Sequence, residues 1–421
     1  MMTCLVRKTL LTLLMLGYVS IAHAVDLHHL RPAEIITKTE TIKLSQDKPN
    51  SWAAGTPLPG LLTGNANSGV GRITEPGALD PTSVVVKQGD QLLIEGQDYL
   101  FDHAWGVFGI GPEPHVTTDD PVTVTYKYSL LRLDSLVRTP DGDEVIREGE
   151  SDITTPHPPA LKSGETRLAN LYVPYFSRGD NADVFPLEEG ATQARTATTA
   201  GLIPKTMHKL LTGKPVTIVC WGDSITAGGD ASSPNTRYPH LLDLALRKKF
   251  PDSKIVVDTE AAGGSRSRDW LYPDKYPYGP PRTLNWNRVI ASKPDLVTIE
   301  FANDGFVSDP QMLPAEYADI LSRLRAVGAE VIVITPSFFD LQLMEFKNER
   351  DVDHRTYIAF LHRWAEENHL ALADAAARWG HLWKEGLPYT TLLNNGYNHP
   401  DDRGHQLFVE ELIKCFAAKS K

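Results

Sequence analysis

Hydrophobic and polar positions follow two different rules along this chain. From about Ile35 to Val173 the period is two. Val122, Val124, Tyr126 and Tyr128 alternate with Thr123, Thr125 and Lys127, as a strand with one buried face requires. Two hairpins punctuate the region: Val84-Val85-Val86 and Leu92-Leu93-Ile94 flank Gln88-Gly89-Asp90, while Leu136-Val137 and Val145-Ile146 flank Pro140-Asp141-Gly142. Proline presets φ in such a turn, and glycine accepts a positive φ. Short strands, frequent turns and no 3.6-residue period predict an all-β, sandwich-like domain. The segment Trp52–Gly71, rich in Gly, Pro and Asn, reads as a long loop.

Past a polar stretch at Gly190–Ala200 the rule changes. Apolar runs at Val216–Trp221, Ile255–Val257, Leu296–Ile299, Val331–Ile334 and Leu370–Ala373 alternate with helical spacing. The helices are predicted over Tyr238–Phe250, Ala315–Val327, Tyr357–Glu367 and Gln406–Phe416. Short β-branched runs alternating with helices make βα units, hence a parallel sheet covered on both faces. Ligands of such sheets bind at the carboxyl ends of the strands. The chain thus divides into an N-terminal β domain over residues 25–190 and an α/β domain over 191–421. All the candidate chemistry lies in the second. That region, started near Ala200, is expected to fold and act alone.

Residues 1–24 stand apart. Arg7 and Lys8 precede an apolar run from Thr9 to Ala22, and Ala22-His23-Ala24 has the small-x-small form of a cleavage site. This reads as a secretory signal peptide, so the protein is expected to be exported, periplasmic or extracellular. No later stretch reaches the roughly 20 apolar residues that a bilayer span needs, so no integral membrane segment is expected after cleavage.

At 41% hydrophobic and 23% charged, the 421 residues have the makeup of a folded chain, which excludes collagen, a coiled-coil rod and a largely disordered protein. The net charge of −11 argues against nucleic acid or anionic lipid as a partner, since both call for Lys/Arg clusters. Of three cysteines, Cys4 lies before the apolar run. Cys220 and Cys415 lie in apolar segments and read as two buried thiols, with one disulfide as the alternative.

Four strand ends carry candidate chemistry. The first run leads into Gly222-Asp223-Ser224-Ile225-Thr226 and then Gly228-Gly229. A serine at a strand-to-helix turn exposes its hydroxyl over a helix N-terminus, which favours developing negative charge. An Asp-Ser pair is also an ordinary helix cap. A P-loop would need Gly-Lys-Ser/Thr here, and a dinucleotide site Gly-x-Gly-x-x-Gly; neither is present. The second end, Ala262-Gly263-Gly264-Ser265, lets backbone N–H groups approach a ligand. The third holds Asn303 in Ala302-Asn303-Asp304-Gly305, an amide donor or simply turn chemistry. Near the C-terminus, His399 in Asn398-His399-Pro400-Asp401-Asp402-Arg403-Gly404-His405 suits a general base. The competing reading is a metal site from His399, Asp401, Asp402 and His405, or plain capping.

Taken together, in order and spacing, these four pieces resemble the blocks of the SGNH/GDSL hydrolase superfamily. The resemblance runs from about Pro215 to the C-terminus, roughly half the chain. It implies a three-layer α/β/α, flavodoxin-like fold, a Ser224 nucleophile and a His399 base. Gly264, with Gly263 as the alternative register, and Asn303 would be the oxyanion donors. No cofactor or metal is implied. The Gly-x-Ser-x-Gly elbow of the α/β-hydrolases is absent.

Two positions depart from the family pattern. Phe301 stands where glycine is usual, two residues before Asn303, and is expected to reshape the pocket floor. Gly396 stands where an aspartate is usual, three residues before His399, and no carboxylate lies between Leu387 and His399. The expectation is a Ser–His dyad. The His399 Nδ1–H would be accepted by a side-chain oxygen of Asn394 or Asn395, or by a backbone carbonyl of residues 394–396.

Trp270 and Tyr272, with Tyr276 and Tyr278 beyond them, lie on a Pro-rich stretch between the second and third blocks and can stack on sugar rings or pack over the domain. Export, the β domain and these aromatics favour an esterase removing acyl groups, above all acetyl, from an extracellular or cell-wall glycan. The alternatives are a lipase or thioesterase of the same superfamily, or a non-catalytic glycan-binding or adhesion protein with a vestigial hydrolase domain.

Overall fold

A computed structural model describes residues 30–50, 54–64, 74–75, 77–188, 201–279, 283–306 and 310–417. The leader at 1–24 and the polar stretch at 190–200 fall outside them. Within Trp52–Gly71 the described residues hold a short strand, Thr56–Pro57, and one 3-10 turn, Pro59–Leu61.

The strands described in the N-terminal half all pair antiparallel. The strand Pro121–Ser129 lies between Ile35–Lys43 and Leu79–Gln88, with Gln91–Leu92 at the edge. Val122, Val124, Tyr126 and Tyr128 are its buried face, as the alternation requires. They share a core with Leu58, Leu61 and Phe108 from the small sheet built on Thr56–Pro57, Val107–Ile110 and Tyr99–Asp102. A further sheet runs Asp183–Pro186, Thr166–Val173, Arg132–Arg138, Glu144–Arg147. Both hairpins form, with Lys87 opposite Leu92 and Val137 opposite Val145.

The second half is a five-stranded parallel sheet. In space its strands run Ile255–Ala261, Val216–Gly222, Leu296–Glu300, Glu330–Ile334, Ala371–Ala373, the order 2-1-3-4-5 of a doubly wound fold. Every residue of Leu296–Glu300 is buried, as befits a strand covered on both faces. The covering helices are amphipathic. Tyr238–Lys249 buries Tyr238, Leu242 and Leu246 at four-residue spacing and ends in Arg247-Lys248-Lys249, which suits the negative end of its dipole. Asp402–Cys415 is capped by Asp401, whose carboxylate accepts from the Gly404 N–H. Cys220 and Cys415 are buried thiols outside any disulfide, and burial pushes the Cys220 thiol up to about 12.

The two halves meet along a seam. Asn170 Nδ2 donates to the Gly386 carbonyl at 2.7 Å, and Arg350 Nη2 donates to the Val184 carbonyl at 2.9 Å. Leu187 bridges to Glu385.

Candidate active site

The strand Val216–Gly222 runs into a single helical turn, Ser224–Ala227, with Asp223 as its cap. So short a helix contributes little dipole, and the expectation of helix-terminus stabilisation gives way to individual donors. Asp223 is fully buried. Its Oδ1 accepts from the Ile225 N–H at 3.1 Å, while Oδ2 accepts from both the backbone N–H and the side-chain Nδ2 of Asn303, each at 2.9 Å. One proton of the Asn303 amide is thereby spent on orientation, leaving the other to point elsewhere. Desolvation pushes the Asp223 carboxyl up, against the pull of these donors.

Gly264 closes the second strand end at φ +74, exposed, and its N–H takes part in no backbone hydrogen bond among the described residues. Beside it the Gly263 carbonyl accepts from the Tyr278 hydroxyl.

His399 is buried, on a tight loop closed by a bridge between Leu393 and Pro400. Asn395 organises the loop: its Oδ1 accepts from the N–H groups of Tyr397, Asn398 and His399 at 3.0, 2.9 and 2.9 Å. His399 Nε2 lies 2.9 Å from Ser224 Oγ. Its Nδ1 lies 2.6 Å from Asp230 Oδ2. The dyad expectation is therefore corrected. Asn394 and Asn395 are not the acceptors, because a carboxylate fills that place. Asp230 follows Gly228-Gly229 six residues after the serine, with φ +59, a conformation that aspartate tolerates better than most residues. An acceptor at Nδ1 fixes the proton there and leaves Nε2 to accept from Ser224.

Residues 220–407 match the family of GDSL-like lipases and acylhydrolases. This region is a GDSL-like acylhydrolase domain. No curated protein matches the chain. Among solved structures, a two-domain esterase active on acetylated mannans aligns at 18% identity and TM-score 0.40, over 51% of this chain and 52% of that one. The chain thus spans about half the length of that esterase. A catalytic mutant of an acetylxylan esterase from Geobacillus stearothermophilus aligns at 20% identity and TM-score 0.38, over 49% of this chain and 97% of that one. An α/β-hydrolase enzyme from the metagenome of Lake Arreo, Spain, aligns at 19% identity and TM-score 0.38, over 49% and 97%. With TM-scores under 0.5, none of the three bears on function.

Against the acylhydrolase pattern, the departures have physical explanations. Phe301 does not form a pocket floor: it is buried, its ring set edge-on to Trp221 at 4.9 Å, in the core beside the sheet. Trp270 is also removed from the candidate site. It belongs to the helical turn Ser267–Leu271, is fully buried against Trp221, and spends its Nε1–H on Ser265 Oγ. A ring without exposed surface cannot stack on a sugar. Tyr272 is tied instead to the helix Leu313–Ala326, its hydroxyl donating to Asp319 at 2.7 Å.

The residues of the competing metal reading are engaged separately. Asp401 caps a helix and pairs with Arg403 Nε at 2.6 Å. Asp402 accepts from the N–H and hydroxyl of Ser232. His405 is buried beside Tyr238 and Phe408, and burial pushes its imidazole down to about 4, so it is neutral.

Proposed function

We propose that the protein is an exported serine esterase that cleaves acyl esters, above all acetyl, from a carbohydrate or cell-wall glycan. The carrying observation is the relay of short contacts from Ser224 Oγ through the His399 imidazole to Asp230. His399 Nε2 takes the hydroxyl proton as Ser224 Oγ attacks the acyl carbonyl carbon, and Asp230 stabilises the resulting imidazolium. The Gly264 N–H and the unspent Asn303 N–H receive the oxyanion of the tetrahedral intermediate. As the intermediate collapses, His399 returns the proton to the departing alcohol oxygen, leaving acyl-Ser224. Water, deprotonated by the same imidazole, then releases the carboxylic acid and restores the serine.

The glycan assignment rests on the secretory form of residues 1–24 and on the β region set against the hydrolase domain. A non-catalytic reading drew its motive from the absent acid, and Asp230 removes that motive.

The test is acetate release from a panel of acetylated glycans, set beside hydrolysis of p-nitrophenyl acetate. Ser224→Ala should lower both by several powers of ten with melting behaviour retained, since the variant loses the nucleophile and little packing. Unchanged turnover in the folded variant would remove Ser224 from the role. Turnover of the chromogenic ester without release from any glycan would remove the glycan assignment alone.

A further inference from the structure

We infer that the N-terminal β region is a working part of the active site, with Thr63 and Thr154 as positioning residues for His399 and Asp230. The inference rests on the triad proposed above.

The loop that carries His399 is held from two sides. From within the hydrolase domain, Asn394 N–H donates to the His399 carbonyl at 2.8 Å, and Asn394 Nδ2 donates to the Asp230 carbonyl at 2.7 Å. Asn394 therefore ties the base to the acid. From the β region come three further bonds onto the same turn. Thr154 Oγ1 donates to the Asn394 carbonyl at 3.0 Å, the Gly64 N–H donates to that carbonyl at 3.0 Å, and Thr63 Oγ1 donates to the Asn395 carbonyl at 3.0 Å. Both threonines are buried, so a lost hydroxyl would leave a peptide carbonyl short of a donor where water does not easily replace it.

Two glycines record how closely the regions approach. A Cβ on Gly396, at φ +66, would lie 1.6 Å from Glu75 Oε2, and a Cβ on Gly64, at φ +74, would lie 2.6 Å from Asp230 Oδ1. The position where the family usually carries its acid is thus kept bare, and a side chain of the β region fills the space. Burial holds the Glu75 carboxyl well above the usual carboxylate range. The loop and the acid are clamped between regions, and the expectation that the hydrolase region acts alone gives way to shared construction.

A reacting group misplaced by about 1 Å can cost on the order of 10²-fold in rate. In the full chain, Thr63→Val with Thr154→Val keeps side-chain shape and removes both hydroxyls. We expect kcat on p-nitrophenyl acetate to fall about 10-fold or more with KM little changed, and the acid limb of the kcat/KM profile to move. The downfield His399 Nδ1–H proton resonance should shift or broaden, a readout independent of turnover. Thr63→Ser with Thr154→Ser, which keeps both donors, should restore all three. Arg350→Ala, which loosens the seam away from the site, should lower the melting temperature and leave kcat as it was. A folded valine pair with unchanged kcat, pH profile and resonance would overturn the inference, as would serine variants as slow as the valine pair. If the wild type turns over the ester, Ser224→Ala does not, and the valine pair matches wild type, this inference fails alone. If Ser224→Ala matches wild type, the triad reading fails.

Discussion

The nucleophile side and the base side of this site are built differently. Ser224 and Asn303 are set by strand ends of one parallel sheet, and a single buried carboxylate, Asp223, takes the N–H of Ile225 and, from Asn303, the backbone N–H and one side-chain N–H. Among the described residues, these Asp223 contacts lie within the hydrolase domain. His399 and Asp230 sit on two loops without a shared sheet, and hydroxyl and amide donors of the β region complete their support. A strand end is already fixed by the ladder beside it, whereas a loop needs bonds brought from elsewhere. The difference teaches that an accessory region can be part of a catalytic site without offering it a reacting atom.

Two substitutions compare the sides directly. The larger effect belongs to the base side: Asp230→Asn should cut kcat by about 10⁴-fold, the scale found when a triad aspartate is neutralised and the imidazole adopts the wrong tautomer. Steady-state hydrolysis of p-nitrophenyl acetate measures it, and a loss under tenfold would return the site to a Ser–His dyad. On the nucleophile side, Asn303→Ala should cost roughly 10²–10³-fold in kcat with KM nearly constant, because the amide acts on the oxyanion of the transition state. A pure KM effect would make Asn303 a substrate-binding group instead.

The same division governs what the sequence made legible. Ser224, Gly264, Asn303 and His399 each stand in a short local pattern, and the structure brings Ser224 against His399 and ties Asn303 to the turn that carries Ser224. Asp230 was missed because nothing local relates it to His399, 169 positions away; the pairing exists only once the fold brings two loops together. A faint signal was available in Gly228-Gly229-Asp230, a carboxylate placed by two glycines just after the nucleophile turn. Trp270 misled for the opposite reason. Its neighbours Tyr272, Pro273 and Tyr276 suggest an exposed loop, yet one helical turn over Ser267–Leu271 points the indole into the core. The five strands and the four longest helices of the second half were legible, since periodicity reports which face is buried. The strand Ile255–Ala261, however, runs four residues beyond its predicted end, and the shorter helices, Pro204–Leu211 among them, were not read. The contacts between the two regions were not, because a threonine that donates across a seam looks like any surface threonine.

The smallest expected effect concerns acids buried beneath the nucleophile side and along the seam. Burial pushes Asp304 and Glu349 up to about 7, and holds Glu300, beside Asp223, well above the usual carboxylate range. In the unfolded chain these groups ionise near 4. Between about pH 4 and 7 the folded protein therefore keeps protons that the unfolded chain has shed, and their contribution to stability is lost as pH rises. His405 works the other way: with its folded value pushed down to about 4, its contribution grows as pH rises toward about 6.5. One imidazole stands against these three carboxyls, with Asp223 and Glu75 shifted in the same direction, so the melting temperature should fall from pH 5 to pH 8. Glu300→Gln keeps an acceptor for the Thr226 hydroxyl, now 2.9 Å from Glu300 Oε2, and removes the ionisation. That variant should melt a few degrees higher than wild type at pH 8, no higher at pH 5, and so with a shallower slope between them. A melting temperature that rises steadily through pH 7, or a Glu300→Gln slope equal to wild type, would mean that these carboxyls are already ionised in the folded protein.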